Sequence, residues 1–257
     1  MNREREPLPT RVQDTQDLPA GYDDALREGL GALGWPLDSR ARDTIDGHVR
    51  MLLAWTSAIN LTAIREPAEV AVAHILDSLS AVGPMRERGI TRFLDLGSGG
   101  GLPGLPVAAA LPATEALLVE AIGKKARFLA TAIAATGLQA TVQIASVRAE
   151  TLAAEPHHRG RWPAITARAV ASAGDLVELA FPLLAPGGVL IAWKRGDLAD
   201  ELRAARSAAR ALGGGTVEVL DVDLPDLAGH CLLLMTRTGV VPDAYPRDPA
   251  TRKRRPW

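Results

Sequence analysis

The densest chemistry in this sequence lies in Phe93 to Gly104, FLDLGSGGGLPG. Gly97, Gly99 and Gly101 alternate behind a short apolar run and are followed by Leu102 and Pro103. Glycine reaches positive φ at little steric cost and lets a backbone come close to a ligand. A strand ending in such a turn, with a helix starting near Leu102, presents free N–H groups and the positive helix end to that ligand. Gly99-x-Gly101-x-x-Gly104 also satisfies the dinucleotide fingerprint, so NAD has to be weighed. Asp95 separates the possibilities. An acid two residues before the first glycine suits a ligand carrying ammonium and sulfonium groups, and it repels a pyrophosphate. Glu120 closes a second apolar run 19 residues after Gly101. A carboxylate there can accept both ribose hydroxyls, a contact that NAD and S-adenosylmethionine share. Of the two, S-adenosylmethionine is the cofactor these residues favour.

Other polar residues suggest a substrate side. His74, Asp77 and Ser78 share one face of a helix by their spacing. With Asn60 they are either acceptors near a substrate or a polar interface between helices and the main domain; His74 alone reads as structural. Arg168 ends a strand on the cofactor side, where it can bind a carboxylate or a phosphate. Lysine is rare: of 29 basic residues only Lys124, Lys125, Lys194 and Lys253 are lysines, and three of them fall in motifs. Lys124, Lys125 and Arg127 open a helix, where positive charge opposes the dipole. An RNA phosphate would compensate; a solvated basic turn is the bland reading. Lys194 and Arg195 carry the same two readings. Arg247, Arg252, Lys253, Arg254 and Arg255 lie between Tyr245 and Trp257 and suit phosphate contact with base stacking, or form a solvated tail. No metal is expected.

These residues need elements to position them. Residues 1–20 are polar and proline-rich and read as disordered. Residues 21–90 read as a helical segment: Ile45, Val49, Leu52 and Leu53 recur at helical spacing, and a second helix over 70–79 follows Pro67. Residues 91–240 alternate short apolar runs with helices. Strands are predicted at 93–96, 116–119, 141–144, 164–167, 189–193, 217–222 and 232–236. Helices are predicted to start near Leu102, Lys124, Ala149, Ala173 and Leu198, with Gly137 and Gly213 ending two of them. Such alternation gives a doubly wound, mostly parallel α/β sheet. No helix separates the last two strands, so an antiparallel edge is expected. Residues 241–257 form a basic tail with five basic residues against two acidic ones.

The formal net charge is −1, so any contact with nucleic acid must be local. The lone cysteine, Cys231, lies in an apolar run and reads as a buried hydrophobe. With neither a signal peptide nor an apolar stretch of membrane-spanning length, a monomer in the cytoplasm is expected, away from membranes.

Four segments together are more specific than any glycine pattern. They are FLDLGSGGGLPGLP, EAIGKKARFL (120–129), TARAVAS (166–172), and an upstream stretch with Trp55, Asn60-Leu61-Thr62 and His74-Ile75-Leu76-Asp77-Ser78. They resemble the ribosomal RNA small subunit methyltransferase G family, as does the ending AYPRDPATRKRRPW, and the likeness spans about residues 45–257. The resemblance implies a class I, Rossmann-like methyltransferase fold with seven strands behind an N-terminal helical segment. It implies methyl transfer from S-adenosylmethionine to the position-7 nitrogen of a guanine, number 527 in the 530 loop of 16S rRNA, with the rRNA or the small ribosomal subunit as partner. It places cofactor contacts at Gly97, Leu102, Ala149, Glu150 and Arg168. Glu120 stands where many relatives have Asp, and Ala149 where others often carry valine. Position 7 has a free lone pair and loses no proton on methylation, so no general base is expected. A methyltransferase for a small molecule or protein, and an NAD-linked oxidoreductase, are the competing readings.

Overall fold

The computed structural model describes residues 7–34 and 36–257. Seven strands form one sheet: β1 (Arg92–Leu96), β2 (Glu115–Val119), β3 (Val142–Ala145), β4 (Trp162–Arg168), β5 (Leu184–Arg195), β6 (Gly215–Asp221) and β7 (His230–Arg237). Their order is β3-β2-β1-β4-β5-β7-β6, and β7 runs antiparallel to both neighbours. The expected antiparallel edge is therefore present.

After a single 3-10 turn (Val12–Asp14) come two long helices, α1 (Ala20–Leu33) and α2 (Ser39–Ile59). Then α3 (Pro67–Val70), a π-helical stretch (Ala71–Leu76) and α4 (Asp77–Leu79) run on as one rod, followed by α5 (Val82–Glu87). Around the sheet lie α6 (Gly104–Ala110), α7 (Gly123–Thr136), α8 (Ala149–Ala154), α9 (Ala173–Ala180) and α10 (Ala199–Ala211), and α11 (Pro249–Arg254) ends the fold. Boundaries follow local chemistry. The Asp38 side chain accepts from Ala41 N and starts α2, while Asn60 ends it in the left-handed region. Gly137, at φ +75°, ends α7.

The inner strands are buried on both faces, as apolar runs in parallel sheets must be. Neighbouring residues point to opposite sides. Phe93 packs in a core shared with Ile45, Leu52 and Ile75 of the front helices. Leu94 packs in a second core with Leu176 and Phe181. The front helices thus cover one face of the sheet.

Two expectations need correction here. Residues 7–19 are not disordered: they dock on α2, where Trp55 Nε1 donates to the Pro9 carbonyl at 2.8 Å and Arg50 pairs with Asp17 at 3.0 Å. The expectation for residues 1–6 lies outside the described residues. The tail is not a free basic arm either. Arg247 makes a bifurcated ion pair to Glu178 of α9, stacks over Trp257, and leaves Trp257 Nε1 to donate to the same carboxylate at 2.7 Å. Arg252 pairs with Glu150 of α8. Glu178 is fully buried, and that is the physical reason the tail folds back: a buried carboxylate requires charged donors. Lys253, Arg254 and Arg255 remain exposed.

Candidate active site

The turn after β1 is built around the Ser98 carbonyl, which accepts from Gly101 N at 2.7 Å and Leu102 N at 3.1 Å. Gly97, Gly99 and Gly101 have φ of +68°, +56° and +81°, which only glycine adopts without strain. A Cβ on Gly97 would lie 2.8 Å from the Val170 side chain. The helix starts at Gly104 instead of Leu102, because Leu102 and Pro103 are still completing this turn. At seven residues it is short, and the turn's own N–H groups are the natural ligand donors.

Asp95 lies beneath the turn and does not line the adjoining cavity. Its Oδ1 accepts from Thr166 Oγ1 at 2.7 Å, and its buried Oδ2 has no hydrogen-bond partner. Complete burial pushes its pKa up to about 6, although Thr166 opposes the shift. Glu120 also serves the turn: Oε2 accepts from Gly99 N at 2.9 Å and Oε1 from Ile122 N at 2.8 Å. Glu120 therefore holds the turn's backbone, while Asp95 is tied to β4 through Thr166. Each oxygen of Glu120 keeps a lone pair for a ribose hydroxyl.

A cavity of about 590 Å³ opens beside the turn. Gly97, Gly99 and Leu102 line it, with His74, Asp77, Lys125, Arg168, Lys194, Arg195 and His230. Asp77 is its hub. Arg168 Nη1 donates to Asp77 Oδ2 at 2.9 Å, His230 Nδ1 lies 3.1 Å from Oδ1, and Trp193 Nε1 donates to the Asp77 carbonyl at 2.7 Å. The front helix is thereby tied to the ends of β4 and β5 and the start of β7. His74 takes a hydrogen bond with Thr62 at 2.6 Å, and burial, then the Arg168 charge, lowers its pKa to about 4. Of the four expected substrate-side residues, His74 and Asp77 line the cavity. Asn60 is an exposed helix cap, and Ser78 is buried with its hydroxyl donating to the His74 carbonyl.

Of the expected cofactor residues beyond the turn, Arg168 lines this cavity, whereas Glu120, Ala149 and Glu150 do not; Ala149 and Glu150 open α8, and Glu150 is held by Arg252. Arg168 is committed to Asp77. Among the expected RNA contacts, Lys194 pairs with Glu201 at 2.8 Å and Arg247 and Arg252 are tail clamps, whereas Lys124, Arg127 and Arg195 are exposed and Lys125 is half-buried at the cavity. Sequence reasoning missed His48, whose ring contacts the Gly100 carbonyl at 2.7 Å from α2, and also Trp193 and His230. His48 is entirely buried, and that burial lowers its pKa to about 4. Among the described residues no cluster of three or more His, Cys, Asp or Glu could hold a metal ion.

The site fits S-adenosylmethionine on its own geometry. Three left-handed glycines open the backbone, Val170 crowds where a Cβ would stand, and the half-satisfied buried Asp95 favours positive charge nearby. The sheet, with a reversed β7 inserted between β5 and β6, is that of a class I methyltransferase. Solved structures of that fold agree: an O-methyltransferase from Bacillus cereus in complex with SAH (TM-score 0.54, 17% identity, 79% of this chain and 92% of that one) and one involved in tomaymycin synthesis in Streptomyces achromogenes (TM-score 0.52, 18% identity, the same coverage). Within that class the chain belongs to the rRNA small subunit methyltransferase G family, whose model matches residues 42–225. Curated relatives named ribosomal RNA small subunit methyltransferase G include one from Dehalococcoides mccartyi, 41% identical over 85% of this chain and 93% of its own length. Another, from Roseiflexus sp., is 36% identical over 91% of this chain and 99% of its own.

Proposed function

We propose that this protein transfers a methyl group from S-adenosylmethionine to the position-7 nitrogen of a guanine in 16S rRNA, guanine 527 in the 530 loop. It acts as a monomer, on the rRNA or the small ribosomal subunit. The observation that carries this reading is the charge of the cavity beside the cofactor turn. Four cations line it, Lys125, Arg168, Lys194 and Arg195, against one acid, Asp77. Arg168 and Lys194 are internally paired. Lys125 and Arg195 have no acidic partner among the described residues. With the exposed Lys124 and Arg127 they form a local phosphate-binding rim on a chain of net charge −1. A small neutral substrate would not need such a rim. The dehydrogenase reading is disfavoured by topology, since the dinucleotide fold keeps its strands parallel in the order 3-2-1-4-5-6 and here β7 is reversed.

The cofactor, when bound, supplies an electrophilic methyl on a sulfonium. The protein's task is placement. Position 7 attacks with its own lone pair and no proton moves, so the cavity needs no general base. Alignment of this kind supplies on the order of 7–11 kcal/mol. No helix of the described residues is long and apolar enough to cross a membrane, in keeping with the cytoplasmic setting proposed for an rRNA enzyme. The test is to map modified nucleotides in 16S rRNA from cells with and without this protein, and to restore the mark in vitro with labelled cofactor. Loss of one 7-methylguanosine, restored by the purified protein, is expected. Label entering protein or small molecules, with 16S rRNA unchanged, overturns the proposal.

A further inference from the structure

His230 opens β7, and because that strand is reversed its first residue stands level with Arg195, at the ligand edge of the parallel strands. The ring lines the cavity and is about a quarter exposed, with a side-chain accessibility of 23%. Its Nδ1 lies 3.1 Å from Asp77 Oδ1. Asp77 is itself immobilised, through Arg168 on Oδ2 and Trp193 on its carbonyl. A carboxylate can only accept, so the proton of the neutral ring sits on Nδ1 and the lone pair on Nε2. Nε2 has no hydrogen-bond partner among the described residues and is not buried. The cations of the lining, Lys125, Arg168, Lys194 and Arg195, are donors without a lone pair to offer, and the other ring there, His74, is already engaged at Nε2 by Thr62 at 2.6 Å and at Nδ1 by the Ala73 carbonyl at 3.1 Å. The cavity therefore contains one oriented nitrogen acceptor backed by a carboxylate.

We propose that His230, held by Asp77, reads the target base by accepting a hydrogen bond at Nε2 from the N1–H or exocyclic amine of guanine. The inference rests on the guanine position-7 reading above. Guanine presents N1–H and its 2-amine side by side, whereas adenine in the same pose presents a lone pair at N1 and no amine at C2, and would meet His230 lone pair to lone pair. The same contact assists the chemistry. As the position-7 lone pair forms the bond to the methyl carbon, the carbon–sulfur bond breaks and its electron pair stays on sulfur. The purine becomes cationic, its N1–H becomes more acidic, and the hydrogen bond to His230 tightens while the proton stays on the base. An interaction stronger in the transition state than in the ground state raises kcat.

The experiment compares His230→Phe, which keeps a ring and loses Nε2, with His230→Gln, whose amide oxygen can still accept. Transfer is measured at saturating cofactor into small subunits prepared from cells lacking the modification. Cofactor affinity is followed by calorimetry and fold by thermal melting. His230→Phe is expected to lower kcat by roughly 100-fold, with cofactor affinity and melting temperature near wild type, and His230→Gln to recover a large part of the rate. A His230→Phe enzyme of wild-type kcat overturns the inference. So do two variants equally slow with cofactor affinity or fold impaired, since that pattern marks a structural residue. If the wild-type protein itself puts no methyl on 16S rRNA, the functional reading fails first. If it does and His230→Phe is equally active, only the role of His230 fails.

Discussion

Replacing Arg247 with alanine should destabilise the whole fold, although the residue lies ten positions from the end of the chain. Glu178 is fully buried in α9, and four donor groups satisfy its carboxylate: the Arg247 backbone N at 2.7 Å, Arg247 Nε at 3.0 Å, Arg247 Nη2, and Trp257 Nε1 at 2.7 Å. Arg247→Ala removes the two side-chain donors and the only cation, and it releases Trp257, which stacks under that guanidinium with 4.7 Å between charge and ring centre. Breaking one side of a buried ion pair costs about 3–5 kcal/mol. For a domain of this size each kcal/mol lowers the melting temperature by roughly 2–4 °C, so a drop of roughly 6–20 °C is expected. Thermal unfolding followed by circular dichroism reads it directly. Glu178→Gln in the same chain removes the stranded charge and should restore at least half of the stability. The explanation fails if Arg247→Ala melts within a degree or so of wild type, or if the double variant is no better than the single one.

Three further outcomes follow from the site. His48 and His74 both have pKa values lowered from 6.5 to about 4, so the unfolded chain binds protons first as the pH falls. Stability should decline from about pH 6.5 towards pH 4, partly offset by Asp95, whose raised pKa removes a burial penalty as the pH drops through about 6; urea midpoints across that range should show a shallower decline in His48→Gln, and an unchanged decline would clear His48. Gly97→Val forces a β-branched residue to φ +68° with its Cβ against Val170, a strain of roughly 1–3 kcal/mol, and calorimetry should find cofactor binding abolished in a chain that still folds. Charge reversal at Lys125 or Arg195 should weaken RNA binding and reduce its salt slope by roughly 1 for each phosphate the protein no longer neutralises, while the melting temperature stays put; an unaltered slope would remove the residue from the interface.

Much of this architecture was legible in the residues. Glycine spacing located the cofactor turn, apolar runs located all seven strands, and the gap between the last two implied the antiparallel edge. What composition concealed was pairing. Arg247 and Arg252 read as phosphate ligands because an unpaired arginine and a clamped one look alike in a sequence; only the fold reveals Glu178 and Glu150 opposite them. Asp95 and Glu120 were placed at the right turn, but their protein partners were not foreseen: Asp95 accepts from Thr166 of β4, and Glu120 accepts from the turn's own backbone. His230 escaped notice for a geometrical reason. Ligand-facing residues stand at the ends of parallel strands, but in a reversed strand the residue at the beginning takes that place. An isolated polar residue ahead of the run CLLLM was the available clue. His48 gave no signal, since its partner is a carbonyl 52 residues away in the chain.

Because Ile45, Leu52 and Ile75 share a core with Phe93, Leu118 and Ile191, the front helices insulate one side of the sheet from water. Deleting them would expose a large greasy plane, so the catalytic part has no soluble life of its own. A protease probing the native protein should find no severable front piece, and melting should proceed as one event.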